Sequence, residues 1–248
     1  MRYAIIVGLA VGLVLPSLAS AGSAANPAST VGRENFGFAF EIENQVKNVD
    51  RDQTASKRWL GKVIWGATDR LDIYAKLGAS DLKIGTDDQV FEGKRGMTWG
   101  GGGRLLIGTI EQPNLAAYLD AQMISFHTAA DFRGVGDAGP YRAYERYKWN
   151  ELQFSLFGIW RHEVFAPYLG VGVTHLFGNV KKEVYVNEVR RDDLDQAYDF
   201  AEDAIPEIIL GMDLDLGGTG RLSGEIRYDL DEENISFFVG ASELLRVK

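Results

Sequence analysis

Three histidines and one nearby carboxylate are the residues of this chain best suited to acid–base chemistry. The histidines are His127, His162 and His175, and Asp131 follows His127 by four positions. A histidine oriented by a carboxylate can act as a general base in hydrolysis. The residues around these positions match no catalytic motif, and the sequence has no Gly-rich phosphate loop or nucleophile elbow. We therefore predict a protein that is not an enzyme, with no catalytic residues, no metal and no cofactor.

A larger set of charged residues recurs at every second position. Within Ile208 to Asp229, Met212 and Leu214 alternate with aspartates before a Gly-rich turn, and Ile226 and Tyr228 alternate with charged residues after it. Successive side chains of a strand point to opposite faces, so this hairpin has one apolar and one charged face. Charged residues that take the polar face of their segments are Glu41, Lys62, Asp72, Lys76, Arg104, Asp120, Glu151, Asp213, Asp215, Glu225, Arg227 and Asp229.

The elements that position these residues are ten segments of alternating character, which predict an all-β fold. They span 36–43, 58–66, 70–80, 96–107, 115–126, 149–161, 167–175, the two halves of 208–229, and 235–242. Long polar connections of about 13 to 30 residues alternate with short turns. In a single up-and-down antiparallel barrel this alternation puts long loops at one rim and short turns at the other, as in transmembrane β-barrels.

Tryptophan positions indicate which face points outward. Trp59, Trp65 and Trp160 lie near the ends of their segments and share the apolar face. Amphipathic rings prefer the two interfaces of a membrane, so we predict that these are interfacial aromatics and that the apolar face contacts lipid. The charged set then lines a narrow lumen and pairs there, because unpaired buried charge is costly. A soluble periplasmic barrel that binds an apolar ligand inside is the rival interpretation.

Composition supports export and a sheet without disulfides. The N-terminal segment 1–21 has a basic start, an apolar stretch and small residues at its end, as in a secretory signal peptide. We expect a flexible mature N-terminus over 22–34 and the barrel over 35–248. The chain has no cysteine, 29 glycines and a net charge of −9. Its acidity argues against a nucleic-acid partner.

One strand carries a resemblance to a known group. Ala166 to Val173 reads Ala-Pro-Tyr-Leu-Gly-Val-Gly-Val, which resembles the Pro-Tyr-x-Gly-x-Gly-x strand of small bacterial outer-membrane β-barrel proteins of the opacity and OmpA-like group. This resemblance implies a barrel in the cell outer membrane of a Gram-negative bacterium, inserted by the barrel assembly machinery. Small members often have eight strands, so eight is the alternative to ten. Outer-membrane proteases and lipid hydrolases are the enzymatic alternative.

Two polar connections are predicted to be functional loops. The segment 128–147 interleaves Tyr141, Arg142, Tyr144 and Arg146, which could recognise a surface protein or glycan. In 179–206 the apolar residues Leu194, Ala197, Tyr198 and Ala201 recur at helical spacing and predict a short amphipathic helix.

The sequence therefore predicts a structural or surface-interaction protein in contact with outer-membrane lipid. A narrow, weakly cation-preferring pore for small solutes is the first alternative, because acidic residues exceed basic ones.

Overall fold

The computed structural model describes residues 30–49, 52–85, 91–111, 114–136, 139–217, 219–231 and 233–245. The predicted signal peptide and the predicted flexible N-terminus as far as residue 29 lie outside these residues. Regular structure in the described ranges consists of β-strands. They contain no helix long and apolar enough to cross a membrane.

Twelve strands follow one another along the described chain. They are β1 (Phe36–Val49), β2 (Asp52–Gly66), β3 (Leu71–Ile84), β4 (Phe91–Ile110), β5 (Leu115–Gly136), β6 (Gly139–Trp160), β7 (Phe165–Val186), β8 (Val189–Arg190), β9 (Gln196–Ala201), β10 (Ile205–Asp215), β11 (Gly220–Asp229) and β12 (Ile235–Leu245).

Ten of these strands form a closed ring. Neighbours in sequence pair antiparallel from β1 to β7 and from β10 to β12, while β12 pairs with β1 and β10 with β7. The two remaining strands, β8 and β9, pair with the distal part of β7. The predicted all-β, up-and-down antiparallel barrel is thus confirmed with ten strands in its ring, and the eight-stranded alternative is wrong.

One wall of the barrel is much taller than the rest. β5 and β6 pair without a break from Leu115 opposite Trp160 to Gly136 opposite Gly139, and β7 continues beside β6 to Val186. We call this end the tall rim, and the opposite end, with the turns 67–70 and 161–164, the short rim. The predicted loop 128–147 is therefore wrong, because most of it extends a ladder in which each strand satisfies the backbone of the next.

The predicted helix in 179–206 is also wrong. Residues 196–201 form β9, which pairs with β7 over Phe177 to Lys182. Leu194 and Tyr198 are exposed rather than turned to one buried face. A single helical turn is costly to nucleate, whereas the exposed edge of β7 supplies hydrogen-bond partners at once.

Side chains divide by polarity between the two faces of the wall. Leu77, Leu169 and Val171 point outward and are 58–60% exposed. Polar and charged side chains such as Glu41 and Arg58 point inward and are fully buried. The barrel is therefore apolar outside and polar inside, the reverse of a soluble protein core.

Apolar clusters close the lumen at both ends. Towards the tall rim, Trp149 packs between Phe126 and Phe200 with ring centroids 5.9 and 5.4 Å away. Towards the short rim, Tyr118 and Tyr168 pack on either side of Phe157, each with a centroid separation of 5.8 Å. The charged middle of the lumen thus lies between two apolar layers.

Candidate functional site

The lumen holds a dense set of buried charges, which we call the lumen network. Among the described residues it comprises nine carboxylates and six cations, each at most 4% exposed. These are Glu41, Glu43, Asp72, Asp120, Glu151, Glu207, Asp213, Glu225 and Asp229 with Lys47, Arg58, Lys62, Lys76, Arg104 and Arg227. Burying so much charge is tolerable only where the groups pair and hydrogen-bond.

Two lysines share one carboxylate on the β1–β3 side. The Nζ of Lys76 lies 2.7 Å from Glu41 Oε2, and the Nζ of Lys62 lies 3.3 Å from Glu41 Oε1. Lys62 also sits over the Tyr74 ring at 4.1 Å. The Tyr74 hydroxyl in turn donates to Asp120 Oδ1 at 2.8 Å, which carries the network across to β5.

Arg58 connects opposite walls of the barrel. Its Nη2 lies 2.7 Å from Glu151 Oε2 on β6, and its Nη1 lies 3.4 Å from Glu43 Oε2 on β1. Gln45 accepts a hydrogen bond from Arg58 and donates one to Glu151 Oε1 at 2.7 Å. The Arg58 guanidinium therefore contacts several acceptors at once, which its planar arrangement of N–H donors allows.

Arg227 organises the β7–β12 side. Its Nε donates to Glu225 Oε1 at 2.7 Å, and its Nη1 lies 3.1 Å from Glu207 Oε2. Lys47 bonds to Glu207 as well. The hydroxyl of Tyr168 donates to Glu225 Oε2 at 2.9 Å. A second cross-lumen set is thereby joined to the aromatic layer at the short rim.

The N-terminal residues reach into the short rim. The backbone N–H of Val31 donates to Asp72 Oδ1 at 3.1 Å, and Arg104 Nη2 lies 3.7 Å from Asp72 Oδ2. Val31 packs with Ile64 and Tyr74. This segment covers the mouth of the lumen from the short-rim side.

A glycine makes the room that Tyr74 needs. A Cβ on Gly102 would lie 2.6 Å from the Tyr74 hydroxyl and 2.3 Å from the Ala121 carbonyl oxygen. Gly102, like Gly100, therefore permits close packing inside the barrel, one of the roles that glycine takes in a strand.

The structure places eleven of the twelve predicted lumen residues inside the barrel, and Asp215 is the exception. Its side chain is 40% exposed and lies 4.0 Å from Arg221 Nε. Asp215 is the last residue of β10, so the strand has reached the short rim there and its side chain meets solvent. This prediction is corrected accordingly.

Four charged members of the network were not among the twelve predicted residues, namely Glu43, Lys47, Arg58 and Glu207. Lys47 and Glu207 lie outside the ten predicted segments, whereas Glu43 and Arg58 are end residues of theirs. The signal was nevertheless present in β1, where Glu41, Glu43, Gln45 and Lys47 continue at every second position.

The predicted interfacial aromatics lie on the outer face. Trp65 and Trp160 are 44% and 46% exposed near the short rim. Trp59 is partly covered by Arg95, whose Cζ lies 4.0 Å from the ring centroid.

The residues considered for acid–base chemistry do not converge. Arg142 donates to both oxygens of Asp131, at 2.8 and 2.7 Å. His175 stacks on Phe177 with centroids 5.5 Å apart, and His162 stacks on Phe165 at the short rim at 4.6 Å. In the described ranges no group of three or more His, Asp or Glu side chains could hold a metal ion.

The predicted recognition residues lie on β6 rather than in a loop. Tyr141 is 42% exposed, and Arg142 is held by Asp131. Arg146 is bonded to Glu183 and lies over the Tyr144 ring at 5.6 Å. They belong to a rigid, hydrogen-bonded wall.

Comparison with known proteins finds bacterial outer-membrane β-barrels among solved structures. The outer membrane protease OmpT from Escherichia coli is 11% identical, with 86% of this chain and 91% of that chain covered and a TM-score of 0.44. An outer membrane channel from Pseudomonas putida F1 is 10% identical, with 90% and 100% covered and a TM-score of 0.46. The β domain of the Bordetella autotransporter BrkA is 13% identical, with 85% and 98% covered and a TM-score of 0.40.

No protein-family model and no curated protein matches the sequence. The structural likenesses, all with TM-scores below 0.5, do not decide what this chain does. The barrel is established by its own strand pairing.

Proposed function

We propose that this protein is an integral outer-membrane β-barrel with a closed lumen and a structural or surface-interaction role. The observation that carries the proposal is the reversed distribution of polarity. A continuous outward set of large apolar side chains surrounds an interior of paired charges. A barrel that binds an apolar ligand in water needs the opposite arrangement, with the apolar face inside.

Strand geometry supports a membrane location as well. A tilted strand needs about 9–11 residues to cross the hydrocarbon layer, and all ten strands of the ring have at least ten. A closed ring leaves few backbone groups unpaired in lipid, which is the condition for spanning a membrane with strands.

Closure of the lumen distinguishes a structural role from a pore. Side chains in the middle of a water-filled channel would be exposed, yet those of Glu41, Arg58 and Glu151 are at most 1% exposed. The aromatic layer around Trp149 and the segment around Val31 close the two ends. Barrels of this size have interiors that side chains fill.

The tall wall is the proposed surface for interaction. It extends β5, β6 and β7 beyond the rest of the barrel and carries exposed aromatic and basic side chains, including Tyr141 and Arg146. Long connections of such barrels face the outside of the cell. A surface protein or glycan is the class of partner that this position would meet.

Membrane extraction and gel migration test the proposal. We expect the protein to stay with the membrane fraction in carbonate, to dissolve in detergent, and to migrate differently before and after heating. Release of folded protein by carbonate alone would contradict the membrane proposal. In planar bilayers we expect no sustained conductance steps. Regular steps would contradict the closed lumen and support a pore.

A further inference from the structure

A cleft of about 450 Å³ opens on the outer face of the tall wall. Twelve residues line it, of which five are lysine or arginine and none is aspartate or glutamate. The basic members are Lys94, Arg95, Arg146, Lys148 and Lys181, with His127 beside them. This concentration of positive charge stands out in a chain whose net charge is −9.

Strand register arranges these cations in two rows. Lys148 on β6 lies between His127 on β5 and Asn179 on β7. Arg146 lies between Ala129 and Lys181 in the next row towards the tall rim. The small side chain of Ala129 leaves space between longer neighbours, so the cations surround a depression rather than a flat surface.

The cations of the cleft are only partly neutralised. Arg146 is bonded to Glu183, and Arg95 lies over the ring of Trp59. Within the described ranges, neither Lys148 nor Lys181 forms an ion pair with a carboxylate. Asp131 and Asp199 are the nearest outward carboxylates along β5 and β9, and Asp131 is already engaged by Arg142. An anion in the cleft would therefore meet unpaired positive charge.

The height of the cleft suggests which anion it meets. Along β4, Arg95 is two residues from the outward Met97, which is 65% exposed, and four from Trp99, which is 49% exposed. Along β6, Lys148 lies six residues before Phe154, which belongs with Leu156 to the exposed apolar belt. The cleft thus begins where the apolar surface ends, which is the level of lipid headgroups.

We propose that this cleft binds the phosphate group of a lipid headgroup in the leaflet that surrounds the tall wall. The proposal rests on the membrane location proposed above. Lys148 and Lys181 would meet the phosphate as point charges, and the free edge of Arg146 would donate in the plane of its guanidinium. Basic clusters at the membrane surface attract anionic headgroups in this way.

Lipid binding by the full-length protein tests the inference. Folded barrel in dodecyl maltoside micelles is titrated with phosphatidic acid or with zwitterionic phosphatidylcholine, and bound lipid is counted by native mass spectrometry. We expect one saturable phosphatidic acid site and no comparable phosphatidylcholine site. The pair Lys148→Gln and Lys181→Gln should weaken phosphatidic acid binding by about 10-fold or more.

A matched pair at the opposite rim controls for net charge. Arg33→Gln with Arg70→Gln removes two exposed cations far from the cleft. This control pair should change the affinity for phosphatidic acid by no more than about 2-fold, because an exposed charge that does not contact the lipid contributes little to its binding. Equal effects of the two pairs, or equal binding of the two lipids, would overturn the inference. Tighter binding of inorganic phosphate than of phosphatidic acid at the same two lysines would assign the cleft to free phosphate instead.

Gel migration and detergent partitioning of the same samples separate this inference from the membrane proposal. Protein that folds and partitions into detergent but shows no lipid preference contradicts only the cleft. Protein that does not partition contradicts the membrane location first.

Discussion

Arg58 and Glu151 approach to 2.7 Å although β2 and β6, which carry them, are separated by three strands of the ring. Neither strand bonds to the other, so this pair acts as a crosslink through the lumen. Both side chains are at most 1% exposed. The pair therefore joins opposite walls directly, in addition to the backbone hydrogen bonds that connect them through the intervening strands.

Loss of Arg58 should destabilise the barrel. Arg58→Met removes the cation paired with Glu151 and leaves Glu43 with Lys76 alone, and breaking a buried pair costs about 3–5 kcal/mol. Urea unfolding in detergent, followed by the shift in gel migration, measures the change. The double variant Arg58→Met with Glu151→Gln should recover part of the loss. The exposed neighbour Lys57→Met provides the control and should have little effect.

An arginine on the lipid-facing belt should be far more costly than one on the tall rim. Val171 and Val189 are 58% and 64% exposed, so they offer the same residue type at similar exposure. In a bilayer, Val171→Arg should cost about 2–4 kcal/mol, whereas Val189→Arg, at the distal end of the wall, should be nearly neutral. Unfolding in lipid vesicles measures both variants. Equal costs would contradict the assignment of the belt to lipid.

Gly102→Ala should disturb the lumen from within. The added methyl would lie 2.6 Å from the Tyr74 hydroxyl, which donates to Asp120. Overpacking of this kind costs about 1–3 kcal/mol. Gly108→Ala on the same strand meets nothing within 4 Å and serves as the control. The idea fails if thermal unfolding shows the two variants to be equally stable.

The tall wall should lose order in acid at the Asp131–Arg142 pair. The hydrogen bonds from Arg142 hold the pKa of the Asp131 carboxyl below its ordinary value, which is about 3.9 in an unfolded chain. A lowered folded pKa gives stability that is present above about pH 4 and is lost as the pH falls through the folded pKa. Hydrogen exchange of β5 and β6 amides near the pair should therefore accelerate in acid.

Asp131→Asn removes the titration and is the comparison for this experiment. Its exchange near the pair should already be faster at neutral pH and should change little on acidification beyond the intrinsic chemistry. If the variant and the parent protein respond identically to acid, the pair does not order the wall.

Alternation in the sequence was sufficient to predict the ring and most of the lumen charge. The hairpin of β10 and β11 shows why, since Asp213, Glu225 and Arg227 keep strict period with apolar outward neighbours. The same rule failed for Lys47. Most of the residues after Lys47 are polar, so the alternation is lost there and the strand was predicted to end before it. It failed for Asp215 because the alternation predicts which face of the sheet a side chain occupies. It does not predict where along the barrel axis the strand ends.

The apolar layers inside the lumen could not be predicted from single strands. Tyr118, Phe157 and Tyr168 share the parity of polar residues in their own strands, so each alone suggests a polar interior position. They meet because the register of the neighbouring strands β5, β6 and β7 brings them to one height. The pairing of Arg58 with Glu151 is different, because β2 and β6 are not neighbours and face each other only across the closed ring.

The seam between β1 and β12 has a consequence for biosynthesis. It joins the first and last strands of the ring over nine residue pairs, from Phe36 opposite Leu245 to Asn44 opposite Phe237. A partly synthesised chain that ends before residue 235 therefore has no partner for the open edge of β1 and cannot enclose the lumen charges. Non-local closure of this kind makes folding slow. The protein should consequently reach its stable form only as a full-length chain, and a chain truncated before residue 235 should remain sensitive to protease in detergent under conditions in which the full-length barrel resists it.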